Sequence, residues 1–130
     1  MILLDTHIWV WWVSDISKLG TEILELISNN EETGISISII SIWEVTKLIE
    51  KNKIKIKIPL EEWMDEAIKY PGMNVLNLSK EIILNTTALK NFHKDPADQL
   101  IVSTSIINNI PLLTMDRKIL DYPYVETIKI

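Results

Sequence analysis

The sequence contains no cysteine among its 130 residues, and Arg117 is its only arginine. The lack of cysteine excludes disulfide bonds, thiolate metal sites and cysteine nucleophiles, and it leaves the redox compartment open. No apolar run approaches the roughly 20 residues that span a bilayer. The apolar start, MILLDTHIWVWW, lacks a basic leader, so it does not predict a signal peptide. We therefore expect no membrane association and a cytoplasmic location.

Composition is typical of a globular protein, with 47% hydrophobic and 24% charged residues. The length predicts a single domain over residues 1–130 with a sizeable core. The formal net charge of -5 argues against a simple electrostatic nucleic-acid binder. Charge is unevenly distributed, however, because five lysines fall close together: Lys47, Lys51, Lys53, Lys55 and Lys57.

Short apolar or alternating segments alternate with helical patterns along the chain. The predicted strands are 2–4, 35–38, 75–78, 111–114 and 125–130. Helices are expected over 6–13, from 21 onwards, around 43–49, after Pro59, from Ser79 to about 89, and over 96–108. In the helix around 43–49, we expect Trp43, Leu48 and Ile49 to lie on the inner side. Residues 52–58 alternate lysine with isoleucine, which fits either an edge strand or an extended arm. The alternation of predicted strands with predicted helices along the chain indicates an α/β fold with a mainly parallel sheet.

Four acidic residues stand where strands end or helices begin: Asp5, Glu44, Asp98 and Asp116. Ligands of open parallel sheets bind beyond the carboxyl ends of the strands. We therefore expect the four carboxylates to face one end of the sheet.

Each acid also has a local structural explanation, which is hardest to find for Asp5. The spacing of Ser41 and Glu44 fits a capping box. Asp95 precedes a proline at the first helical position, so it fits an N-cap, and Asp98 then favours the helix dipole. Asp116 fits a turn or a cap. These local explanations do not require the acids to share one end of the fold.

Clustered carboxylates repel each other. Two unit charges about 4 Å apart interact by roughly 4 kcal/mol at an effective dielectric constant near 20. The cluster must therefore take up protons or bind a cation. An all-oxygen ligand set without cysteine favours Mg²⁺ or Mn²⁺ over Zn²⁺. Such a site fits phosphodiester hydrolysis, in which the metal polarises the phosphoryl oxygen and activates a water.

Five segments of the chain together match a known family, in its order and spacing: MILLDTHIWVWW, SIISIWEVTKLIEKNKI, PLEEW, FHKDPADQLIVSTSI and PLLTMDRKI. The chain resembles PIN-domain endoribonucleases, and most closely the VapC toxins of toxin–antitoxin pairs. The resemblance implies a PIN-like fold and a Mg²⁺- or Mn²⁺-dependent ribonuclease. It also implies a homodimer and a VapB-like antitoxin that blocks the acidic pocket with an inserted arginine or lysine.

The resemblance also assigns roles to individual residues. Asp5, Glu44, Asp98 and Asp116 match the family's four acids. Three further residues are implied to support them: Thr6 and Thr114 as hydroxyls that orient carboxylates, and Asp95 either through a water or, as we favour, only as a helix cap. The chain departs from the common pattern with Gln99 in place of arginine, and with Ser103 and Ser105 in place of alanine. The loss of a basic residue beside Asp98 puts a phosphate contact there in doubt.

Histidine, arginine and tryptophan give weaker signals. His7 and His93 lack paired spacing, so neither is assigned to catalysis. Arg117 fits a phosphate contact or a surface charge equally well. The tryptophans could stack on RNA bases, although core or interface positions are favoured; they are Trp9, Trp11, Trp12 and Trp43. Because Trp11 and Trp12 point different ways on a helix, at least one should be partly exposed.

Two surfaces are candidates for binding partners. The lysines between 47 and 57 could guide RNA, meet an acidic partner or form a solvated face that discourages edge aggregation. Trp43, Leu48 and Ile49 are a candidate groove for an antitoxin.

Other functions remain open at this point. A catalytically silent PIN-like scaffold would bind proteins, but it need not keep clustered carboxylates. A phosphatase of the haloacid-dehalogenase type would need an aspartate at position 7, where this chain has His7. A phospho-accepting receiver domain would need a lysine and proline after a late strand, which PLLTMDRK does not provide.

Overall fold

A four-stranded parallel sheet forms the centre of the protein, in a computed structural model that describes residues 1–128. Its strands are β1 Ile2–Leu4, β2 Ile35–Ser38, β3 Met73–Leu76 and β4 Leu112–Leu113. Across the sheet they follow the order β3-β2-β1-β4. The predicted α/β class with a parallel sheet is confirmed.

Helices connect the strands and cover both faces of the sheet. They are α1 Thr6–Ser14, α2 Thr21–Asn29, α3 Ile39–Glu50, α4 Leu60–Ile68, α5 Lys80–Asn85, α6 Pro96–Asn108 and α7 Arg117–Leu120. Short 3-10 turns follow α1 at Ile16–Lys18 and α5 at Thr86–Ala88. No helix within residues 1–128 has the length and apolar character needed to cross a membrane.

Strand β1 is apolar throughout because helices bury both of its faces. Successive side chains of a strand point to opposite faces. Ile2 and Leu4 of β1 therefore join a core cluster with Ile35 of β2. Leu3, between them, belongs to the core on the other face with Leu112 of β4. The carboxyl edge of the sheet therefore lies between two packed layers of core side chains.

Each face of the sheet has its own helical cover. On one face Trp9 of α1 meets Trp63 of α4 edge-on, with ring centroids 5.3 Å apart. On the other face α6 contributes Ile101 and Val102. As predicted for Asp95, its side chain caps α6, accepting hydrogen bonds from the backbone N–H groups of Ala97 and Asp98. Similarly, Ser79 caps α5.

For residues 52–58 the edge-strand alternative is wrong, and the strand predicted over 125–130 is not continuous within residues 1–128. Residues 52–58 form turns and bends rather than a strand. The alternation shows only that one side of this segment faces the core, because the isoleucines pack against the core while the lysines are exposed. Within 125–128, Thr127 makes only an isolated bridge to Leu112. Residues 129–130 of that prediction lie outside the described part of the chain.

The start of α3 also differs from the prediction. Ser38, not Ser41, is the N-cap and accepts a 3.2 Å hydrogen bond from the N–H of Ile40. Glu44 therefore lies in the second turn, and the capping box is absent. Trp43 is 52% exposed instead of facing inward. The sequence spacing was compatible with an N-cap at Ser38 or at Ser41. Because β2 ends at Ser38, the helix begins directly after that residue.

Candidate active site

One cavity of about 320 Å³ is lined by acidic residues from each of the segments that were predicted to carry the site. Its acidic lining consists of Asp5, Glu44, Asp95, Asp98 and Asp116. Asp5 directly follows β1 and Asp116 lies shortly after β4, which is beside β1 in the sheet. The fold therefore brings together the four acids that the sequence predicted to meet, and adds Asp95.

Asp5 is held at both carboxylate oxygens. Its Oδ1 accepts a 2.8 Å hydrogen bond from the N–H of Thr6, which makes Asp5 the N-cap of α1. Its Oδ2 accepts a 2.7 Å hydrogen bond from the hydroxyl of Thr114. The side chain is buried. Asp5 thus has a structural role as a cap in addition to its position in the cavity.

Thr6 and Thr114 connect the segments that carry the acids. The hydroxyl of Thr6 lies 2.8 Å from that of Ser41, which links α1 to α3. Thr114 also accepts a 3.0 Å hydrogen bond from the N–H of Asp116. Asp116 in turn caps α7 by accepting from the N–H of Lys118. One threonine hydroxyl therefore fixes the spacing between Asp5 and Asp116.

His93 contacts the site, which the sequence did not predict. Its Nε2 lies 3.1 Å from Oδ2 of Asp98. Within residues 1–128, the buried Nε2 has no hydrogen-bond partner, so the imidazole and the carboxylate are in close contact without a hydrogen bond between them. The Nδ1 accepts a 3.4 Å hydrogen bond from the N–H of Asp95. The sequence feature that could have indicated this contact is the position of His93 two residues before Asp95, the N-cap of α6.

Burial and mutual repulsion raise the pKa values of three carboxyl groups. Burial is the main cause for Asp98, followed by the charges of Asp5, Asp95, Glu44 and Asp116, and its pKa rises to about 8. Burial also raises the pKa of Asp5, against the hydrogen bond from Thr114. It raises the pKa of Glu44, against the Thr6 hydroxyl. The carboxylates therefore cannot all ionise near neutral pH without a compensating cation.

The spacing of the ligand atoms fits a divalent cation. Glu44, Asp95 and Asp98 each offer one oxygen, and these atoms lie within 4.8 Å of one another. His93, Asp98 and Asp116 form a second such group. Carboxylate oxygens are the ligands that Mg²⁺ and Mn²⁺ prefer. Asp98 belongs to both groups, and its raised pKa is the expected signature of a site whose charge a cation would balance.

Several other residues considered from sequence lie elsewhere. Arg117 is exposed on α7, with its guanidinium 3.9 Å from Asp121. The Gln99 amide donates to the carbonyl of His93, so it supports the loop before α6. Ser103 accepts a hydrogen bond from Asn85, and the Ser105 hydroxyl donates to the carbonyl of Ile110. Gln99, Ser103 and Ser105 therefore have structural hydrogen-bonding roles, and Arg117 is a surface charge.

The tryptophans divide between core and surface. Trp9 is fully buried. Trp11 and Trp12 are both half-buried, which confirms that at least one of them is partly exposed. Trp11 lines the acidic cavity together with His7, whereas Trp12 packs against Tyr70.

Comparison with known proteins agrees with this geometry. The PIN domain family model matches residues 2–123. A protein named Ribonuclease VapC22, from Mycobacterium tuberculosis, is 25% identical over 99% of this chain and 97% of its own length. The fold resembles chains in VapBC2 of Rickettsia felis bound to a promoter DNA fragment (TM-score 0.74, 21% identity, 98% of both chains). It also resembles a toxin–antitoxin complex from Klebsiella pneumoniae (TM-score 0.66, 22% identity, 100% of both chains). The phosphatase and receiver alternatives find no support here, and the chain belongs to the PIN domain family.

Proposed function

We propose that this chain is a metal-dependent endoribonuclease and the toxin of a toxin–antitoxin pair. The observation that carries the proposal is the convergence of Asp5, Glu44, Asp98 and Asp116 in one cavity of a PIN domain. The name of the Mycobacterium tuberculosis relative supports RNA as the substrate. We also propose that the protein acts in the cytoplasm, because its proposed substrate is cellular RNA.

The four acids and Asp95 would hold Mg²⁺ or Mn²⁺ against the scissile phosphodiester. When bound, the ion supplies charge stabilisation at the phosphoryl oxygen and lowers the pKa of a water nucleophile. The chain's own contribution is orientation. Thr114 fixes Asp5 relative to Asp116, and the loop before α6 places His93 against Asp98. Preorganised carboxylates bind the ion without rearranging.

The proposal includes an antitoxin that inserts an arginine or lysine into the acidic cavity. A cation from a partner would offset the burial and the repulsion that raise the pKa values of Asp98 and Asp5. The structural neighbour from Klebsiella pneumoniae is a toxin–antitoxin complex by name, and the one from Rickettsia felis is named VapBC2. Of the groove predicted from sequence, Trp43 is exposed, while Ile49 packs against the core. Trp43 is therefore the strongest candidate contact.

A homodimer is the second proposed assembly. Helix α5 exposes Ile83 and Leu84, which are 49% and 59% accessible, and α6 exposes Ile107. These two helices pack against each other. Exposed apolar side chains on neighbouring helices favour self-association. Light scattering should give a dimer mass that Leu84→Glu reduces to that of a monomer.

Cleavage of labelled RNA by the purified chain tests the enzymatic proposal. Cleavage should require Mg²⁺ or Mn²⁺, stop with EDTA and disappear in Asp5→Asn. The matched control is Asp65→Asn, which removes an exposed carboxylate on α4. Absence of cleavage with either metal across diverse RNA pools would favour a catalytically silent protein-binding scaffold. Cleavage that persists in EDTA and in Asp5→Asn would contradict the proposed site.

A further inference from the structure

A second cavity, of about 900 Å³, adjoins the acidic one. The C-terminal half of α1 and the following 3-10 turn form one wall, and residues 52–58 form the opposite wall. Trp63 and Glu66 of α4 complete it. We call this cavity the lysine cleft after Lys18, Lys53, Lys55 and Lys57, which line it.

The lysine cleft is positive on a negatively charged protein. Its four lysines face only two lining carboxylates, Asp15 and Glu66, whereas the whole chain carries a net charge of -5. All four lysines are exposed. Within residues 1–128, no carboxylate oxygen lies within 4.0 Å of any of their ammonium groups. The cleft therefore offers uncompensated positive charge to a polyanion.

The lysine cleft and the acidic cavity share two lining residues, His7 and Trp11. The half-buried Trp11 ring lies 5.6 Å from the His7 ring, centroid to centroid. The Nζ of Lys18 lies 5.7 Å from the Trp11 ring centroid. An aromatic side chain beside a lysine is the arrangement that holds an unpaired base and its phosphate. The junction thus joins a basic surface to the carboxylate cluster.

We propose that the lysine cleft binds the single-stranded RNA segment that flanks the scissile phosphate. This inference rests on the proposed ribonuclease function and assigns the path of its substrate. An acidic peptide would also match the charge, but the aromatic junction and the continuity with the acidic cavity favour RNA. The lysines contact phosphates, and Trp11 stacks on a base at the entrance to the acidic cavity.

The test is the affinity of the full chain for a fluorescent single-stranded RNA of about 12 nucleotides. Fluorescence anisotropy is measured in EDTA over a salt series, so that no cleavage occurs. The double variant Lys53→Glu/Lys55→Glu should weaken binding more than about tenfold and reduce the magnitude of the salt slope by about 1.4. The matched control, Lys69→Glu/Lys80→Glu, changes two exposed lysines that line neither cavity, and it should stay within about twofold of wild type.

Three outcomes would overturn the inference: unchanged RNA affinity in the cleft variant, equal losses in the control, or equally tight binding of a polyglutamate peptide. Circular dichroism establishes that each variant is folded. With Mn²⁺ present, the cleft variant should raise KM for the same RNA. If wild type binds RNA through the cleft but cleaves none with either metal, the proposed function fails instead. If wild type cleaves and the cleft variant has an unchanged KM, only the inference about the cleft fails.

Discussion

Thr114 donates a 2.7 Å hydrogen bond to Oδ2 of Asp5, although the two residues are 109 positions apart in the chain. The contact is possible because β1 and β4 are parallel neighbours, with Leu4 paired to Leu113. The same hydroxyl accepts from the N–H of Asp116. A single side chain thus sets the relative position of two carboxylates in the proposed metal site.

Replacing Thr114 tests this arrangement. Thr114→Val removes the hydroxyl and frees the Asp5 carboxylate, so we expect roughly a 10- to 100-fold loss of Mn²⁺ affinity or RNA cleavage. Thr114→Ser keeps the hydroxyl and should restore most of both. Isothermal titration with Mn²⁺ measures the affinity independently of activity. Equal losses in the valine and serine variants would point to packing of the methyl group instead of the hydrogen bond.

The raised pKa of Asp98 predicts a pH-dependent stability of the metal-free protein. The carboxyl has its ordinary value of 3.8 when unfolded and about 8 when folded, so the folded state binds the proton more tightly. Stability from this group is therefore complete below pH 3.8 and is lost as the pH rises towards about 8. Asp98→Asn should flatten this decline in thermal unfolding measured in EDTA.

The control for that experiment is Asp65→Asn, which should leave the decline as it is in wild type because the side chain is exposed. Added Mn²⁺ should raise the melting temperature of wild type more at pH 8 than at pH 5, since the ion replaces the proton. Parallel pH profiles for wild type and Asp98→Asn would contradict the assignment. We also expect one unfolding transition, because we propose that residues 1–130 form a single domain.

His93 should position Asp98. Its Nδ1 accepts a hydrogen bond from the N–H of Asp95, and its Nε2 lies 3.1 Å from Oδ2 of Asp98. His93→Ala should reduce kcat/KM for RNA about 10- to 100-fold, and His93→Gln, which retains an N–H donor, should recover part of the loss. Lys94→Ala provides the neighbouring control at an exposed position. Full activity in His93→Ala would remove His93 from the site.

Trp43 should contribute to antitoxin binding. Its side chain is 52% exposed in the turn of α3 that also carries Glu44, so a partner seated there would reach the acidic cavity. Trp43→Ser should weaken co-purification of a cognate antitoxin about tenfold or more. Leu48→Asp, at a half-buried position on the same helix, should also weaken it. Retention of the antitoxin by both variants at wild-type levels would contradict this surface.

Gly72 should tolerate no side chain. Its φ of +80° is in the left-handed region, and a Cβ there would lie 2.3 Å from the carbonyl oxygen of Glu31. Gly72→Ala should therefore lower the free energy of unfolding by more than about 1 kcal/mol. Gly20→Ser is the control, because its Cβ meets open space and serine is a favoured N-cap for α2. Denaturant titration compares them, and equal stability of both variants would refute the expected clash.

Features that depend on short-range spacing were predictable from neighbouring residues in the sequence. Asp95 followed by proline marks the start of α6, and Ser79 marks the start of α5, because a cap is satisfied within three residues. The strands of the parallel sheet were also recognisable, apart from the bounds of β3 and the shortness of β4. Acids at strand ends then implied a shared edge, which is why the cluster itself was predictable.

Which side chains meet within that cluster depends on contacts between distant parts of the chain. The hydroxyl of Thr114 finds Asp5, and His93 finds Asp98, through the pairing of distant segments and the path of a loop. Residues 52–58 alternate like a strand but pair with no strand in the described part of the chain, so their isoleucines pack while their lysines line a cleft. Local spacing specifies an element's faces, whereas long-range packing determines what each face contacts.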